Sequence, residues 1–132
     1  DTDVSKLEAL PNVHMLGRKP YSDLPNYCKN WDVALMPFRI NTLTLNANPL
    51  KVREYLAAGL PVVSTAIPEV EVLGVCRIAS EPDAFVREVQ AALDEPISRE
   101  ERSDGIRRES WAARLDEIRG HLAALGKKGA VR

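Results

Sequence analysis

The stretch Asn46-Ala-Asn-Pro-Leu-Lys-Val-Arg-Glu54-Tyr-Leu-Ala-Ala-Gly59-Leu-Pro-Val-Val-Ser-Thr65 decides how the chain folds. Its middle reads as a helix, with Asn48 placed to cap it, Pro49 as its first residue and Gly59 just past its end. Asp32-Val-Ala-Leu-Met-Pro-Phe38 before it and Pro61-Val-Val-Ser-Thr65 after it are short apolar runs of the kind that become buried parallel strands. The unit is strand, loop, helix, strand. Ligands of such units sit beyond the carboxyl ends of the strands, which here means the loop from Phe38 to Asn48 and the helix start that follows.

Working towards the N-terminus, Ser22 to Asn30 reads as a helix capped by Ser22 or Asp23, and Val13-His-Met-Leu16 as a strand closed by Gly17. Residues 39–48 form a polar loop too long for a minimal turn. Towards the C-terminus, residues 66–74 read as irregular or a single helical turn and Val75 to Ala79 as a last strand. Residues 81–132 then carry 21 of the 37 charged residues, against seven in residues 33–79. The core is therefore expected over about 12–80, with exposed, charged helices over about 81–126. These are Pro82 to Glu95 with Phe85, Val89 and Leu93 on one face, Ser98 to Glu109, and Trp111 to Leu125 with Leu115, Ile118, Leu122 and Leu125 at helical spacing. Their charges are expected to face solvent, and the Gly/Lys/Val/Arg end to be disordered.

A length of 132 residues fits one domain. With 18 basic and 19 acidic residues there is no electrostatic footprint for nucleic acid or anionic lipid. Cys28 and Cys76 lack metal or redox spacing and read as reduced, partly buried thiols, while the short apolar runs leave no transmembrane or signal segment. A cytoplasmic chain is expected. The absence of an initiating Met, with a start close to a strand approach, predicts a piece of something longer.

His14 and His121 have no second ligand at metal spacing, so no metal is expected. The nucleophile elbow, the Walker loop and GxGxxG are absent, and Ser64 has no neighbouring His. What remains is the helix start. Its Leu50 and Lys51 N–H groups lie at the positive pole of the helix dipole, which suits a phosphate or diphosphate, and Lys51 adds a charge. Asn46 and Asn48 suit sugar hydroxyls, and Glu54, three residues after Lys51, suits a vicinal diol such as that of ribose. The loop Gly17-Arg-Lys-Pro-Tyr21 opens on the same side, where Tyr21 could flank a base and Arg18 or Lys19 a phosphate. The plainer alternatives are a solvated helix face with Lys51, Arg53 and Glu54 in helical ion pairs, and an ordinary surface turn.

Leu10-Pro-Asn-Val-His-Met-Leu-Gly17, Tyr21-Ser-Asp-Leu-Pro25, Trp31 to Phe38, Pro49 to Ser64 and Ser110-Trp-Ala-Ala-Arg114 follow one another in an order and spacing that resembles the C-terminal, nucleotide-sugar-binding domain of GT-B glycosyltransferases of group 1. The resemblance covers about residues 10–120. It implies an α/β fold, a Rossmann-like parallel sheet with flanking helices, forming a single but incomplete domain over 1–132. It implies that Glu54 is the second glutamate of the family's Glu-x7-Glu motif, on the donor ribose, and that Ala47 to Leu50 contact the donor's phosphates and sugar. Asn46 stands where the first glutamate would be and cannot offset positive charge on an oxocarbenium-like transition state.

The family's domain opens with a strand, helix and strand that precede this sequence, and an N-terminal acceptor domain completes the cleft. The resemblance thus implies the donor-binding part of a glycosyltransferase using a UDP- or GDP-type nucleotide sugar, without cofactor or metal and inactive by itself. The longer protein would act at the inner membrane face in envelope or exopolysaccharide synthesis. A non-catalytic α/β binding module and a nucleotide-sugar epimerase are the alternatives. In the usual 3-2-1-4-5-6 order, loss of strands 1 and 2 would leave open sheet edges, so a rearranged monomer or self-association is expected.

Overall fold

The two apolar runs that flank the decisive helix pair directly with each other. The computed structural model describes residues 3–129. In chain order these form α1 (Ser5–Glu8), a 3-10 turn (Tyr21–Asp23), α2 (Leu24–Cys28), β1 (Ala34–Met36), α3 (Thr42–Leu45), α4 (Leu50–Ala57), β2 (Val62–Ser64) and α5 (Pro68–Glu71). They continue with β3 (Arg77–Ile78), α6 (Pro82–Leu93), α7 (Arg99–Gly105), a second 3-10 turn (Arg107–Glu109) and α8 (Trp111–Gly129). The three strands make one parallel sheet in the order β1-β2-β3, with Ala34 opposite Val62, Met36 opposite Ser64 and Ser64 opposite Ile78. This is an α/β chain with a Rossmann-like sheet flanked by helices. The order is sequential, so the strands are not rearranged, and the outer edge of β1 is open among the described residues.

β2 is buried on both faces, as a continuous Val-Val-Ser run in a central parallel strand should be. α4 lays Val52 and Leu56, one turn apart, into the same core with Leu60, Ile67 and Val70. Each such side chain contributes roughly 1.5–3 kcal/mol by leaving water. Gly59 ends α4 at φ +75. The Gly59 N–H donates to Leu56 O and the Leu60 N–H to Tyr55 O, the paired bonds of a Schellman motif. An edge-to-face contact between Trp31 and Tyr55, centroids 6.0 Å apart, fixes α4 against the end of α2.

Several sequence-based expectations are corrected. Val13 to Leu16 is not a strand; no neighbouring strand offers it a ladder, and Met15 and Leu16 stay half exposed. Residues 39–48 are not a continuous loop, because Asn41 and Thr44 form a capping box that nucleates α3. Asn48 does not cap α4: Pro49 occupies the cap position, no side chain caps the helix, and Asn48 bonds to Arg53 instead. Leu35 on β1 is 49% exposed, so that strand is covered on one face only. On α6 the buried residue is Ala92 and Leu93 is exposed. α8 continues through Gly126-Lys-Lys-Gly129, where disorder was expected; residues 130–132 of that end lie outside the described residues.

The charged C-terminal segment is not merely a solvated layer. Ile106 enters the main core, and arginines of this segment donate to main-chain carbonyls. Arg99 Nη1 donates to Cys28 O at 3.2 Å and its Nη2 to Trp31 O, Arg108 Nη2 donates to Leu73 O at 2.9 Å, and Ser103 Oγ donates to Ala57 O at 2.9 Å. α7 thereby seals the ends of α2 and α4, whose last carbonyls have no intrahelical partner. α8 is amphipathic as expected, yet Trp111, Leu115, Ile118, Leu122 and Leu125 are all at least half exposed.

Candidate functional site

The loop before the first 3-10 turn and the start of α4 face each other across a cleft of about 1130 Å3. Gly17, Arg18, Lys19 and Tyr21 line it from one side and Leu50, Lys51 and Glu54 from the other, with Leu16, Leu24, Tyr27 and Trp31 supplying apolar surface. That pattern of apolar and aromatic walls with a few convergent polar groups is typical of small-molecule sites. The fold explains the convergence. Val52 and Leu56 point into the core, so Lys51 and Glu54 must lie on another side of α4, one turn apart.

Three of the residues singled out from the sequence do not line the cleft. Asn46 closes α3 by donating from Nδ2 to Thr42 O at 2.8 Å, which follows from the capping box that makes α3 a helix. Ala47 follows it, with its N–H on Thr44 O. Asn48 accepts from Arg53 Nη1 at 2.6 Å. Sequence reasoning missed Tyr27 and Trp31 as lining residues. The position of Trp31 just before the strand that starts at Ala34 was the available signal, while Tyr27, inside α2, carried none.

The electrostatics of the cleft are those of a cationic mouth with one carboxylate. Arg18, Lys19 and Lys51 bring positive charge, and the uncapped start of α4 adds the positive end of its dipole. Among the described residues neither Lys51 nor Glu54 takes part in a salt bridge, so the helical ion pairs of the plainer alternative do not form; Arg53 pairs with Glu109 instead. Glu54 holds the Tyr21 phenol above its ordinary value, through hydrogen bonding first and charge second. Burial, and then the charge of Glu54, likewise pushes the Cys28 thiol up. A smaller pocket of about 390 Å3 shares Tyr21, Leu24 and Glu54 with the cleft and reaches Cys28. Among the described residues no three His, Cys, Asp or Glu side chains converge as a metal site would need.

Chemically, this arrangement can receive an anion at the helix start, a pair of hydroxyls at a carboxylate that has no salt-bridge partner among the described residues, and a flat ring against Tyr21. No helix among the described residues is long and apolar enough to cross a membrane. No solved structure matches the chain significantly. The chain is 37% identical over 68 residues to a Bacillus subtilis (strain 168) protein named, provisionally, as the teichuronic acid biosynthesis glycosyltransferase TuaH. That stretch is 52% of this chain and 17% of the relative, so the chain spans a small part of the curated protein it matches. A sequence profile of the glycosyl transferases group 1 matches residues 2–95, which hold β1, β2, β3, α4 and every residue lining the cleft, and the chain belongs to that family.

Proposed function

We propose that this chain is the donor-binding part of a glycosyltransferase that transfers a sugar from a nucleotide sugar. The observation that carries the proposal is the Glu54 carboxylate, which has no salt-bridge partner among the described residues, lying one turn from the uncapped start of α4 in a cleft that also holds Arg18, Lys19, Lys51 and Tyr21. A carboxylate beside a phosphate site needs a compensating partner, and the two hydroxyls of a ribose supply it by donating to both oxygens. The diphosphate then meets the Leu50 and Lys51 N–H groups and the Lys51 ammonium, with Arg18 or Lys19 as further counter-charges and Tyr21 against the base. No protein carboxylate is assigned to the donor sugar, because Asn46 is neutral and turned back on α3.

Acceptor binding and catalytic groups are assigned to no residue of this chain, which spans a small part of the curated relative, and the chain alone is expected to be inactive. Membership of a transferase family supports transfer over epimerisation. The relative's name, a teichuronic acid biosynthesis glycosyltransferase, supports polysaccharide synthesis as the setting of that transfer. Calorimetric titration of UDP and of GDP into the chain and into Glu54→Ala tests the reading. Binding to the unaltered chain that weakens about tenfold or more in the variant is expected, the scale of losing a charged hydrogen bond. Equal binding by both removes Glu54 from this role, and no binding at millimolar concentration favours a non-catalytic α/β module.

A further inference from the structure

Asn48 is the natural cap of α4 by sequence, and the structure uses it otherwise. With Asn48 as cap, Pro49 would be the first helical residue and the side-chain oxygen would take the N–H of Leu50 or Lys51. Instead Asn48 Oδ1 accepts from Arg53 Nη1 at 2.6 Å, and α4 has no side-chain cap. The other guanidinium nitrogen of Arg53 is held at 3.3 Å by Glu109, 56 residues away and 15% exposed at its side chain. Glu109 is held in turn by Arg114 at 3.1 Å. Arg53 does not line the cleft; it lies on the flank of α4 against Ser103, Ile106 and Ser110.

From this geometry we infer that Arg53, anchored by Glu109, is a positioning residue that draws Asn48 away from the start of α4 and so keeps the Leu50 and Lys51 N–H groups open. Were Pro49, now extended at the cap position, to join the helix, Asn48 would become the cap and compete with an anion for the same two donors. A helical side chain leans back over the turn before it, which lets Arg53 reach Asn48 from the far side of the helix. A lysine is a poorer fit, because its three donors share one nitrogen whereas the guanidinium offers Asn48 and Glu109 separate nitrogens of one rigid fork. The inference deepens the donor-site reading and rests on it for the identity of the anion, but the capping state of α4 can be read without any ligand.

The test compares the chain with Arg53→Met, Glu109→Gln, Asn48→Ala and the double variant Asn48→Ala/Arg53→Met. Amide hydrogen exchange by NMR is read first. Leu50 and Lys51 should exchange freely in the unaltered chain, one of them should gain protection in Arg53→Met and to a lesser degree in Glu109→Gln, and the gain should vanish in the double variant. UDP and GDP are then titrated into each. Binding should weaken about fivefold in Arg53→Met, the factor that displacing a cap of ordinary strength corresponds to, and recover in the double variant. Unchanged protection in Arg53→Met overturns the inference, as does weakened binding that removal of Asn48 fails to rescue, since a merely structural role for Arg53 would not be relieved that way. Absence of nucleotide binding by the unaltered chain refutes the donor-site reading alone, and the exchange pattern still decides the inference.

Discussion

Replacing Gly59 by alanine should be the most damaging single-methyl change in the chain, for two reasons that can be measured separately. The first is conformational. Gly59 sits at φ +75 to close the Schellman turn, and an L-residue in that region costs roughly 1–2 kcal/mol. The second is steric: a Cβ at Gly59 would stand 2.4 Å from Arg99 O and 2.7 Å from Arg99 Cβ, and backbone atoms cannot yield as a side-chain tip can. Arg99 is tethered by its guanidinium to Cys28 O and Trp31 O, so moving it strains the seal between α7 and α2. Overpacking of this kind costs typically about 1–3 kcal/mol more. The expected total, roughly 2–5 kcal/mol, is a large part of the about 5–15 kcal/mol available to a domain of this size. Gly74 supplies the control, because it has φ +68 and nothing within 4 Å of its added Cβ. Gly74→Ala should cost only the conformational part. Urea denaturation of both variants reads the difference. Equal midpoints for Gly59→Ala and Gly74→Ala would refute the claim that α7 presses on the end of α4.

Two further predictions concern pH. Burial pushes the Cys76 thiol from 9.0 up to about 11, so it stabilises the fold fully below pH 9 and loses that contribution as pH rises towards 11. The slope of stability against pH in that window should flatten in Cys76→Ala. The Glu95 carboxylate is held below its ordinary 4.5 by its hydrogen bond to Arg102 and by Arg77, with burial opposing, so its contribution is present above that value and is lost as pH falls through the lower folded one. Glu95→Gln should lower stability at neutral pH by about 1–2 kcal/mol and make denaturation less acid-dependent below pH 4.5, as read by circular dichroism.

The central unit was legible because its signals are local. Gly59 needs a positive φ, Val52 and Leu56 recur at one turn, and Val62 to Ser64 is too apolar for anything but a buried strand. Glu54 and Lys51 fall on one side of α4 for the same reason, and so the cleft's α4 side could be read in advance. Asn46 and Asn48 do not line the cleft because their amides have local partners: Thr42 O takes one and the Arg53 guanidinium the other. The second pairing is set by Glu109, and a contact across 56 residues leaves no trace in spacing or periodicity. Val13 to Leu16 has strand composition, but a strand is a property of two chains side by side, and composition describes only one.

The roles of the C-terminal arginines are hidden in the sequence for the same reason. On a helical wheel, Arg99, Arg102 and Arg108 look like members of a solvated charged layer, and a run of alternating charges ordinarily is one. Their targets, however, are Cys28 O, Ile97 O and Leu73 O, carbonyls at the ends of helices and in the turns that join them. Main-chain carbonyls carry no residue identity, so nothing in the sequence advertises them as partners. Each is nonetheless costly to bury unpaired, and a guanidinium with five donors can satisfy one while keeping another edge in water or on a carboxylate. Through α7 and the turn after it, this segment therefore does two things that its composition hides. It closes the far ends of α2 and α4, and at Glu109 it reaches the residue that controls the open end of α4.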